Sequence, residues 1–151
     1  MANHVRQQIR EAAATLLTGL ITTGPRVFQS RIRVMGDADL PGLNIMTNDE
    51  LVNASSIGNP VLLDRQINMV VQAVAKQTDN LDDVLDTMCK EVEAALNINV
   101  LANTFGGIAK HTVLSSIEID MNGDGDMPVG YANMNFTVTY KTRADQPDIA
   151  Y

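Results

Sequence analysis

"ANMNFTVTY", residues 132 to 140, alternates without a slip: Ala132, Met134, Phe136, Val138 and Tyr140 take one set of positions, Asn133, Asn135, Thr137 and Thr139 the other. Successive side chains of a strand point to opposite faces, so this spacing predicts a strand with one apolar and one polar face. The polar set holds amides and hydroxyls but no charge. "DRQINMVVQAVA", residues 64 to 75, reads the same way. Ile67, Met69, Val71, Ala73 and Ala75 fall on one side, and Asp64, Gln66, Asn68 and Gln72 mostly on the other. An apolar sheet face must be covered, and the covering elements should be helices with a single apolar stripe.

Two stretches fit. Val5, Ile9, Ala12, Ala13, Leu16, Leu17 and Leu20 recur at spacings of three and four, which predicts a helix over roughly 4–20, with Asn3 as N-cap and Gly24-Pro25 forbidding continuation. Leu81, Val84, Leu85, Met88, Val92, Ala95 and Leu96 mark a second helix, capped by Thr78-Asp79-Asn80, with Asp82 and Asp83 near the positive end of its dipole. "RVFQSRIRV", 26–34, reads as a strand, "MGDADLPG" as a turn, and Leu43, Ile45 and Thr47 as a short strand. "TNDELVNASSIGNP", 47–60, has no period and reads as a long loop. Val113, Ser115, Ile117 and Ile119 share one face of a further strand.

The expected order is α-β-β-β-α-β-β. It implies an α+β fold, a two-layer sandwich with both helices on one face of a mostly antiparallel sheet, in a single domain spanning 1–151. A chain of 151 residues buries roughly 70% of its unfolded surface, enough for a core without staples. The second sheet face, with Asn133, Asn135, Thr137, Thr139, Gln66, Asn68 and Gln72, suits either another subunit or solvent.

Composition narrows the function. Hydrophobic residues make up 45% and charged residues 19%, with no run near the ~20 apolar residues of a membrane span. Glu11 and the Gln7-Gln8 pair interrupt the apolar N-terminal stretch, against a signal peptide. The single Cys89 excludes an internal disulfide and fits a reducing cytoplasm. Net charge is −7, the wrong sign for gripping phosphates.

"EIDMNGDGDMPVG", 118–130, raises a metal question. Asp120, Asn122 and Asp124 with Gly125 match the first half of the EF-hand pattern D-x-[DN]-x-[DN]-G. Position twelve should be a bidentate glutamate and is Tyr131, and the flanks read as strands where an EF-hand has helices. A hairpin connection explains the Asp, Asn and Gly content. A weak divalent site made by Asp120, Asn122, Asp124 and Asp126 stays open.

Catalytic chemistry is thin. Cys89 sits beside the second helix's apolar stripe, and neither His4 nor His111 is spaced to act as its base. Asp82 and Asp83, with Asp86, could be read as acid–base carboxylates, but two of them sit where a helix start favours negative charge. Gly106-Gly107 lacks the third glycine and lysine of a phosphate loop. Eight methionines and no tryptophan fit an adaptable core or interface. The expectation is no enzyme, no catalytic residues and no cofactor.

Four stretches carry a family likeness: "HVRQQIREAAATLL", "DADLPGLNIMT", "LDDVLDTMCKEVEAAL" and "DGDMPVGYANMNFTVTYKT". In these, and in its order of elements, the chain resembles the tail terminator proteins of long-tailed phages. The resemblance implies a minor tail protein of the virion. Such a protein would form a hexameric ring on the last ring of tail-tube subunits, end tube growth, and present the head-joining surface to a connector or neck protein. DNA would pass through the lumen without specific binding, at the head-proximal end of a tail assembled in host cytoplasm. On this reading Asn48, Asp49, Glu50 and Asn53, with Asp124 and Asp126 of the acidic hairpin, face neighbouring subunits or the tube. Two rival readings are another phage neck or head-completion ring protein, and a calcium-binding module built on 120–126.

Overall fold

A computed structural model describes residues 2–97, 105, 107–123 and 128–151. The strand that alternates so strictly, β5 (Val129–Arg143), pairs antiparallel with β3 (Leu62–Lys76) in unbroken register, from Leu62 opposite Arg143 to Lys76 opposite Val129. That register stacks Met69 on Phe136, Val71 on Met134 and Ile67 on Val138, all of them buried on one face. β2 (Gly42–Ala54) lies antiparallel to β3, and β4 (His111–Asn122) lies antiparallel to β5. β1 (Val27–Gln29) adds to β2 in parallel, and β6 (Gln146–Ala150) pairs with the far end of β5. The main sheet order is β1-β2-β3-β5-β4.

Both helices cover the same face. α1 (Val5–Leu17) buries Val5, Ile9, Ala13 and Leu17, and α2 (Leu81–Asn97) buries Leu81, Leu85, Met88, Val92 and Leu96 in one cluster with the apolar residues of β2, β3 and β5. Burying each large aliphatic side chain is worth about 1.5–3 kcal/mol, so this cluster dominates the stability. Gly130 lets α2 approach β5. A Cβ there would stand 2.8 Å from Leu85 Cδ1 and 3.0 Å from Leu81 Cδ2. The fold is therefore α+β with two helices and a mostly antiparallel sheet, and the sheet curls as a half-barrel where a two-layer sandwich was expected.

The other departures have local causes. α1 begins one residue later than expected, because His4 and not Asn3 is the N-cap: its Nδ1 accepts from the Arg6 amide at 3.2 Å. It ends at Leu17, since Thr18 is extended and Gly19 turns at φ 93°. The strand expected over 26–34 stops at Gln29, because Ser30 adopts φ 54°. The chain then crosses the second sheet face, where the Asn44 side chain accepts from the Arg31 amide at 3.1 Å and donates to its carbonyl at 2.8 Å.

The expected loop 47–60 is mostly strand. β2 runs on to Ala54 past a bulge, where Thr47 pairs with Met69 and Glu50 with Ile67, leaving Asn48 and Asp49 opposite Asn68. A second bulge lies in β4, where Leu114 pairs with Phe136 and Ser116 with Asn135. The extra residue, Ser115, flips the alternation, so Val113 and Ile117 do not share a face as expected. The order gains β6 after the expected last strand. No helix of the described residues is long and apolar enough to cross a membrane.

Candidate assembly surfaces

Of the residues named from the sequence as contacts, Asn48, Asp49 and Glu50 fall at the β2 bulge, and Asn53 lies further along β2, opposite Asp64. Asn48, Asp49 and Asn53 are exposed. Glu50 is different: register puts it on the helix-covered face, at the end of the sheet where α1 begins. Its carboxylate side chain is 6% exposed and accepts from Arg6 at 3.0 Å, from Arg65 at 3.4 Å and from the Tyr140 hydroxyl. Arg65 Nε also donates to Thr142 Oγ1 at 2.9 Å. Burial pushes the Tyr140 phenol up, and the bond to Glu50 adds to it. Burial, then Arg6 and Arg65, push the nearby His4 down. The arrangement pins three strands to the start of α1. Glu50 is thus committed within the chain, which its polar neighbours in sequence hid.

The second face is polar as expected over its centre. Gln72 faces Asn133, Asn68 faces Thr137, and Gln66 faces Thr139. Ser115 Oγ and Thr137 Oγ1 share a hydrogen bond at 2.6 Å, and Asn135 donates to Ser116 Oγ at 3.1 Å. Towards β2 the face is less polar than the alternation implied. Val70 and Val74 are buried there, and residues 31–35 pass over Asn44, Gln72 and Val74. Ile32 and Val34 in that crossing segment point away from the protein, 99% and 82% exposed.

β4 is the strand at the opposite end. After its bulge Ile117, Ile119 and Met121 pair with Met134, Ala132 and Gly130, so they lie on the helix-side face, yet they are 39%, 50% and 52% exposed. Glu118 and Asp120 lie on the other face, both exposed. Exposed large aliphatics also mark the β2–β3 hairpin, at Leu51, Val52 and Ile57. None of these patches was legible as exposed from periodicity alone.

Asp120 and Asn122 stand on one face of β4, while Asp124 and Asp126 lie outside the described residues. Among the described residues no group of three or more His, Cys, Asp or Glu is placed to hold a metal. Cys89 is buried, and burial, then Glu93 and Asp86, push its thiol up to about 11, which makes it a poor nucleophile. His111 is exposed at the start of β4. Gly107 turns at φ 93°, and Gly106 lies outside the described residues. An apolar groove, lined by Leu16, Leu20, Ile21, Ala94 and Ala95, has Glu91 as its charged group. That carboxylate accepts from the Thr22 amide at 2.9 Å and from the Thr22 hydroxyl.

No protein-family model matches this chain, and no curated protein matches it either. Among solved structures, a chain of a structure described as the virion of a native gene transfer agent particle is similar, at 15% identity and a TM-score of 0.44, over 90% of this chain and 92% of that one.

Proposed function

We propose that this chain is a non-enzymatic structural subunit of a phage tail, which assembles head to tail into a ring, caps the tail tube and forms the surface to which the head joins. The reading starts from the sequence resemblance to tail terminators. One structural observation carries it: two unlike surfaces present exposed large aliphatics, the β4 edge, which has no second strand partner among the described residues, with Ile117, Ile119 and Met121, and the segment that follows β1, with Ile32 and Val34. A contact between unlike patches repeats in one direction and closes into a ring when the rotation allows.

The neutral amide and hydroxyl face then gives the ring a surface that neither grips nor traps DNA, in keeping with the net charge of −7. Six copies, a tail-tube protein on one rim and a connector or neck protein on the other complete the reading. The protein acts in the virion, at the head-proximal end of the tail, with no cofactor. Asn48 and Asp49, exposed at the β2 bulge, and Asn53, exposed further along β2, are contacts to a neighbour or to the tube.

The test is to mix purified protein with assembled tail tubes and view them by negative-stain electron microscopy. Closed rings, and tubes ending in an extra ring that adds no further subunits, are expected. Binding to connector rings with no binding to tubes would make it a neck or head-completion protein. Binding to neither would end the tail reading.

A further inference from the structure

We propose that the β4 edge of one copy docks on residues 29–34 of a second copy, the segment that leaves β1 and crosses the second sheet face. The inference rests on the ring-subunit reading and names the contact that would build the ring. β1 and β4 are the two ends of the main sheet path. On β4, Ile117, Ile119 and Met121 are half-exposed along one side, and Glu118 and Asp120 project from the other without a partner among the described residues. On the segment that follows β1 the composition is the counterpart. Ile32 and Val34 are almost wholly exposed, and Arg33 between them is exposed with no ion pair among the described residues.

Charge selects the occupant. Residues 26–34 carry Arg26, Arg31 and Arg33 and no acid; residues 117–122 carry Glu118 and Asp120 and no base. Pairing β4 with another β4 would bring the acidic side of each strand against its like, and like charges on adjacent strands destabilise. Pairing β4 with residues 29–34 sets aliphatic against aliphatic on one side and Arg33 against Glu118 and Asp120 on the other. Because this chain holds both halves of the match, on separate surfaces, the fitting partner is a second copy. Arg31 supports the surface and is not free for the contact: it is held by Asp39 at 2.8 Å and lies over the Phe28 ring.

The test uses two charge reversals, Arg33→Glu and the pair Glu118→Arg with Asp120→Arg, with mass measured by light scattering over a concentration series. Circular dichroism checks that each variant folds. Wild type should form assemblies larger than a monomer, and each variant alone should assemble at least about tenfold more weakly. An equimolar mixture of the two variants should recover assembly, since each supplies the end the other lacks. A second readout is disulfide formation between Ile32→Cys protein and Ile119→Cys protein, expected in the mixture and absent from either alone. Wild-type assemblies untouched by the reversals would overturn this contact and leave the ring reading standing. Disulfide dimers of Ile119→Cys alone would replace it with a β4–β4 contact. A wild-type chain that stays monomeric at every concentration would overturn both the contact and the ring.

Discussion

β5 and β4 lie side by side, pair over most of the length of β4, and carry the same alternation of aliphatic and polar residues, yet Phe136 is 1% exposed and Ile119 is 50% exposed. The difference is not in either strand. α2 lies across β3 and β5, and β4 is one strand further out in the sheet. An alternating pattern therefore tells which side chains share a face, while coverage is decided by where the helices land. A covered face stabilises the fold, and an uncovered one of the same composition is left for a partner.

The largest test of that contrast is a matched pair of truncations. Phe136→Ala should cost about 3–5 kcal/mol, the usual effect of removing a buried aromatic ring that the site cannot refill. Ile119→Ala, on the neighbouring strand, should change stability by less than about 0.5 kcal/mol, as exposed positions do. Urea unfolding of the two variants at a concentration where the protein is monomeric measures both. Equal losses would mean that β4 is covered in solution, and the contrast would fail.

The β2 bulge offers the same contrast within two residues. Glu50→Ala leaves the Tyr140 hydroxyl and Arg65, whose side chain is 11% exposed, facing an empty acceptor site. Arg6, at 46%, can turn to water, so the loss should be about 2–3 kcal/mol, below that of a fully buried pair. Asp49→Ala, exposed and next in sequence, should stay within about 0.5 kcal/mol. A Glu50→Ala variant as stable as Asp49→Ala in urea would show that the cluster holds nothing together.

These sites also mark how far the sequence could be read. The two helices, the strand faces of β3 and β5, and the α+β class follow from periodicity, because a covered core imposes it. Glu50 looked like a loop residue because Asn48 and Asp49 are poor strand formers. They are accommodated by a bulge, which a period-two reading cannot contain. β1 is shorter than the sequence implies because Arg31 to Val34 keeps the alternation of a strand; the turn at Ser30 and the Asn44 side chain, which takes over the role of a paired backbone, are tertiary facts. β6 is not legible from the sequence, since Pro147 argues against a strand although proline is tolerated at a sheet margin. Of the chosen contacts, Asn48, Asp49 and Asn53 lie at the surface, and Asp124 and Asp126 fall outside the described residues.

The smallest expected effect probes where coverage begins, at the first residue of the α1 cap. His4 must be neutral to serve there, since Nδ1 accepts the Arg6 amide and the helix start disfavours a positive charge. Burial, followed by Arg6 and Arg65, lowers its pKa below the ordinary histidine value, with Glu50 and Asp148 opposing. The sign follows from proton linkage. Below the unfolded histidine pKa of about 6.5 the unfolded chain binds the proton more readily than the folded one, so this contribution to stability is present above that pH and is lost as the pH falls through it. His4→Asn keeps a neutral acceptor at the cap. It should match wild type near pH 8 and lose less stability between pH 7 and pH 5, measured as urea midpoints across a pH series. An unchanged acid slope in the variant would mean that His4 titrates like an exposed histidine and that the cap does not depend on its neutral form.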